Sequence, residues 1–135
     1  MSPRASLLQL AFMAMLGLSF AAFAIPILVF PDQAPEVSNE ALRRLRTQAA
    51  AGVEIAWLLS PQVVDARMVG PTPYHVEGRV VWRSLFGVVV GETTVTQHQS
   101  SYRWDTGKLA LVWAVFLVTE TLLAGSIVWR LRTSP

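Results

Sequence analysis

Two long apolar tracts bracket a patterned, more polar middle in this chain. The first runs from Leu7 to Phe30, 24 residues without a charge. As a helix rising about 1.5 Å per residue it would reach about 36 Å, enough to cross a hydrocarbon core of about 30 Å with some tilt. The second, Leu109 to Trp129, is bracketed by Lys108 and Arg130 and holds Glu120 near its centre. Both tracts are predicted to be transmembrane helices. Trp113 and Trp129 lie toward opposite ends of the second, where interfacial aromatic residues are expected. Arg4 followed by the small-x-small pattern Ala22-Phe23-Ala24 also fits a cleavable signal peptide. The apolar run continues through Ile25 to Phe30, long for such a segment, so a retained anchor is expected.

The middle opens with a Pro-bearing linker, Pro31 to Val37. Ser38 or Asn39 can then cap a helix predicted to run to about Leu59. Leu42, Leu45, Ala49, Val53, Ala56 and Trp57 recur at three- and four-residue steps and make one apolar face. Glu40 can pair with Arg44 on the opposite face, a contribution of about 0.3–0.5 kcal/mol. Ser60-Pro61 should end the helix, because the residue before Pro disfavours helical geometry.

Strand patterns follow. Val63 to Val69 is a short candidate, and Gly70-Pro71-Thr72-Pro73 is a turn. From Tyr74 to Arg83 the chain alternates, with Tyr74, Val76, Val80 and Trp82 on one side and His75, Glu77, Arg79 and Arg83 on the other. Ser84-Leu85-Phe86-Gly87 reads as a hairpin connection, with Val88 to about Thr96 returning. Centring the turn there places Trp82 opposite Val89 and Val80 opposite Gly91, where the missing side chain suits a bulge or a closely packed neighbour. The Thr, Gln and Ser residues of 93–101 suit a wet edge strand or a surface that meets a partner. No internal repeat is visible.

These elements predict an α+β membrane protein. Two transmembrane helices flank a small extramembrane domain of one amphipathic helix and an antiparallel β-hairpin or three-stranded sheet. The divisions are 1–6 (terminus), 7–30 (span), 31–107 (domain), 108–129 (span) and 130–135 (terminus).

Charge changes this picture in one respect. Fifteen of the twenty charged residues lie in 31–107, where seven Arg meet eight acidic residues. The excess behind the formal charge of +2 therefore comes from Arg4, Lys108, Arg130 and Arg132, at the ends of the spans. It reads as a topology signal rather than a nucleic-acid face. Both termini are expected in the cytoplasm and the domain outside it, in the inner membrane of a bacterium, although the basic run at 42–46 favours the reverse. Arg43, Arg44 and Arg46 could meet lipid head groups or form a solvated helix face.

Candidate chemistry is sparse. Zero Cys excludes disulfides and thiolate metal sites. His75 and His98 stand 23 residues apart with no carboxylate at ligand spacing, and the spans contain no His, so neither metal nor cofactor is expected. Phosphate-loop, nucleophile-elbow and metalloprotease motifs are missing, and no enzyme activity is expected. Glu120 stands out, because an ionised carboxylate at mid-bilayer costs about 2.5–3.5 kcal/mol or more. It should be protonated, paired with another helix, or bonded to its own backbone, Ser19 or Gln9. Gly17 with Ala21, and Thr121 with Gly125, form small-xxx-small pairs that permit close helix approach. Trp82, Phe86, Tyr102 and Trp104 are candidate contacts of the extramembrane domain, whose core is marginal alone.

The expected function is that of a non-catalytic accessory, assembly or scaffolding subunit of a larger bacterial membrane complex. Its partners would be other integral membrane proteins and lipid. A proton- or ion-coupling component using Glu120, and a membrane-anchored sensor or binding module, are the alternatives.

Overall fold

In a computed structural model, which describes residues 3–97 and 99–133, the chain is α+β. Helix α1 covers Pro3–Leu28, α2 Asn39–Ala50 and α3 Thr106–Thr133. Strands β1 (Ser60–Met68), β2 (Val76–Arg83), β3 (Val89–Val95) and β4 (Ser100–Trp104) form one antiparallel sheet in the order β1-β2-β3-β4. The sheet thus has four strands where three were expected. Both α1, from Ser6 to Leu28, and α3 are long and apolar enough to cross a membrane.

The domain core forms where α2 lies on one face of the sheet. Ala41, Leu42, Leu45 and Ala49 are buried against Val63, Val76, Val80, Trp82, Val90 and Val95. Ser38 caps α2, its hydroxyl accepting the Ala41 N–H at 3.2 Å. The opposite face carries Glu77, Arg79, Glu92 and Thr94, with Arg79 and Glu92 3.8 Å apart, and stays wet. Such one-sided burial is what an antiparallel sheet with alternating strands permits.

Several expectations are corrected. Helix α2 stops at Ala50 rather than near Leu59, because the chain turns at Ala51-Gly52, where Tyr102 of β4 presses onto the glycine. Past the turn, Val53 still reaches the core, but Ala56–Leu58 form a separate 3₁₀ turn that leaves Trp57 79% exposed. Pro61 lies inside β1 at the sheet edge, where its missing N–H costs no ladder bond. Arg44 does not pair with Glu40; its guanidinium stacks on Tyr74, 3.6 Å from the ring centroid, outside the core. Arg46 pairs with Asp32. Two members of the basic run are therefore engaged by protein.

The β2–β3 register also differs. Trp82 faces Gly91 and Val80 faces Thr93. The turn is centred on Phe86-Gly87, one residue later than expected, with φ of 59° and 84° at those two positions and the Val88 N–H donating to the Leu85 carbonyl. Moving a turn centre by one residue moves every pairing by two, which keeps each side chain on its face. The inward set Val76, Val80 and Trp82 is buried accordingly. A bulge beside Arg83 turns Val90 inward as well.

Candidate functional site

The distinctive construction lies where the sheet meets α1 and α3. The two helices pack antiparallel, since Phe23 meets Trp113 and Phe116 while Ser19 meets Glu120. The tip of the β2–β3 hairpin is wedged between them. Leu85 is buried in one cluster with Ala22 and Phe116, with Leu18, Val112, Trp113 and Phe86 packed around it. Phe23, Trp113, Phe116 and Phe86 meet edge to face, with ring centroids 6.0–6.3 Å apart. Each such pair contributes about 0.5–1.5 kcal/mol beyond its buried area.

Several polar groups of the wedge have partners within the chain. The Ser84 N–H donates to the Val88 carbonyl, and the Gly87 N–H to the Ser84 carbonyl. Arg83 Nη1 donates to the Gly87 carbonyl at 2.8 Å, and Trp113 Nε1 to Ser84 Oγ at 3.1 Å. Trp113 is thereby a bracket between α3 and the hairpin rather than a free interfacial residue. Phe86 adopts a left-handed backbone where turns of this kind normally carry Asn, Asp or Gly. Its ring, packed on Phe116, offsets the cost of that conformation.

Arg83 ties the wedge to the end of α1. Its guanidinium lies 3.6 Å from the Phe30 ring centroid, and its Nε donates to Gln62 Oε1 at 2.9 Å. Gln62 Nε2 in turn donates to the Pro31 carbonyl, and Ser60 Oγ to the Pro26 carbonyl. Burial lowers the pKa of Arg83 from its ordinary value, yet a guanidinium stays charged at any physiological pH. The cation is therefore held by a π face and neutral oxygens.

Further along α1 and α3, Ser19 Oγ donates to Glu120 Oε1 at 3.1 Å. Neither small-residue pair forms the contact between the helices. A β-carbon added at Gly17 or Gly125 would meet nothing within 4 Å, and Thr121 is exposed while Ala21 is half-buried. The helices meet instead along Leu18, Ser19, Ala22, Val112, Phe116 and Glu120.

The four aromatic residues expected to be interface contacts divide. Trp82 is 1% exposed and belongs to the core, its Nε1 donating to the buried Thr93 hydroxyl at 2.9 Å. Phe86 is taken up by the wedge. Tyr102 and Trp104 are the more exposed pair, on edge strand β4. Trp82, Gly91 and Trp104 form one cross-strand row, and the two indoles stack over the glycine with centroids 6.4 Å apart. Trp104 is also the common wall of two clefts, of 460 and 310 Å³, at the head of α3.

The His75 Nδ1 lies 2.6 Å from the Thr72 hydroxyl, and His98 falls outside the described residues. No grouping of three or more metal-binding side chains occurs among the described residues. Ser84, Leu85 and Arg83 carry no site expectation in the sequence, and Trp113 carries only that of an interfacial aromatic residue. The available signal was the apolar Leu85-Phe86 at a hairpin tip, where polar residues are the rule. In comparisons with protein-family models, with curated proteins and with solved structures, the chain matches none.

Proposed function

We propose that this chain is a non-catalytic accessory or scaffolding subunit of a larger membrane protein complex. Its spans lie among partner helices, and its extracytoplasmic domain is held at a fixed attitude to the bilayer. The wedge of Leu85-Phe86-Gly87 between α1 and α3 carries this reading. A receptor domain on a flexible tether gains nothing from such a mount. A subunit that presents a surface at a set height and angle depends on it. Irregular backbone at membrane depth is tolerated only where protein covers it, and the wedge, with Ser84 and Leu85 each 1% exposed, meets that condition. Wide apolar faces of both spans, including Phe20, Ile27, Leu122 and Trp129, remain exposed for lipid or for partner helices.

The test is purification of the full chain, at its native level, in a mild detergent. A stoichiometric integral membrane partner is the expected result, and a chain that runs alone would defeat the proposal.

Glu120 bears on the ion-coupling alternative. Its hydrogen bond to Ser19 lies within the chain, and such bonds in membrane proteins average about 0.6 kcal/mol. Glu120→Gln keeps an oxygen that can accept from Ser19 but cannot carry a proton. Under the scaffolding reading it leaves insertion and partner recovery unchanged, whereas loss of proton or ion flux in vesicles would favour coupling.

A further inference from the structure

We propose that the junction between the sheet and the head of α3 binds one phospholipid with a zwitterionic, primary-amine head group. This rests on the reading that α1 and α3 span a bilayer. Two clefts border one another there, with Trp104, Asp105 and Thr106 lining both. The larger, of 460 Å³, is bordered by two cations, Arg103 and Lys108, and two carboxylates, Glu92 and Asp105. The smaller, of 310 Å³, is lined mostly by apolar side chains, Val53, Ile55, Val90 and Leu109 among them, with Glu54 as a further carboxylate. A charge-balanced cleft beside an apolar slot matches a head group joined to an acyl chain.

Position supports the match. Lys108 is the last charged residue before the run that begins at Leu109, which places the polar cleft at head-group level, and Leu109, the first residue of that run, lines the slot. The segment from Ile55 to Ser60 crosses from the head of α3 to the end of α1, since Ile55 shares the slot with Leu109 and Ser60 bonds to Pro26. Trp57, almost fully exposed on that segment, and Trp104 are suited to the bilayer interface.

The charges around the cleft are only loosely paired with one another. Lys108 and Asp105 stand 4.0 Å apart, and Glu92 reaches Arg79 only at 3.8 Å. Arg103 faces Glu92 across the β3–β4 ladder but makes no ion pair among the described residues. A phosphate can take hydrogen bonds from Arg103 and Lys108, while an ammonium can donate to Glu92 and Asp105. A choline group has no N–H to donate. A glycerol head group has no cation for the carboxylates.

The experiment uses the full chain. Retention in the membrane pellet through an alkaline carbonate wash supports the spanning reading, and release into the supernatant overturns both that reading and the proposal. Detergent-purified chain is then titrated with dioleoyl phosphatidylethanolamine, phosphatidylcholine or phosphatidylglycerol and followed by native mass spectrometry. The expected result is one ethanolamine lipid bound at least about fivefold more tightly than either competitor. Arg103→Gln and Lys108→Gln, both at exposed positions, should each weaken it about fivefold. Equal retention of the three lipids, or unchanged binding by both variants, overturns the proposal while leaving the spanning reading intact.

Discussion

Replacing Trp82 by alanine is expected to cost the domain built on the sheet about 3–5 kcal/mol, the range for deleting a fully buried aromatic side chain. The indole is 1% exposed and fills the space between α2 and the centre of the sheet. Its loss also removes the stacking partner of Trp104 and the donor to Thr93. Trp82→Phe separates these contributions in part, because it keeps one aromatic ring in the core and deletes the pyrrole portion of the indole with its N–H. That leaves the fully buried Thr93 hydroxyl without its donor, at about 1–3 kcal/mol. Denaturant unfolding of the detergent-solubilised chain, followed by near-ultraviolet circular dichroism, should rank Trp82→Ala well below Trp82→Phe and both below the unmodified protein. An alanine variant within about 1 kcal/mol of the parent would mean that the Trp82–Gly91–Trp104 row does not hold the sheet.

What could be read from the residues divides along physical lines. The apolar tracts were legible from length and absence of charge, and the alternation of β2 because burial imposes a period, with Val76, Val80 and Trp82 buried accordingly. Strand β4 was harder to see. Ser100 to Trp104 lies on an edge with little burial, so no apolar alternation marks it. The end of α2 was misplaced because Val53 and Ala56 continue a helical spacing while meeting the core from a loop and a 3₁₀ turn. Periodicity reports which residues are covered, not which backbone carries them. The junction was the least legible part. Phe30, Gln62 and the Arg83–Gly87 hairpin converge from three separate places in the chain, and no local pattern encodes a long-range meeting of that kind.

That convergence makes Gly87 the most sensitive point of the mount. At φ of 84° a side chain costs about 1–2 kcal/mol, and a β-carbon there would overlap the Phe30 ring, adding about 1–3 kcal/mol. Gly87→Ala is therefore expected to destabilise the docked hairpin by about 2–5 kcal/mol, the sum of the two. Phe30→Ala in the same chain should recover the overlap contribution but not the backbone one. The absence of native cysteine allows a direct readout, because Leu85→Cys introduces a single thiol at a position 1% exposed. Maleimide labelling of that thiol should be slow in the parent background and rapid once Gly87→Ala is added. The domain core centred on Trp82 should stay folded, since the wedge packs in a separate cluster. If a fixed attitude to the bilayer is what the domain contributes, partner recovery should fall with the rise in labelling. A chain that labels rapidly yet keeps its partner would show that the spans alone make the assembly contact.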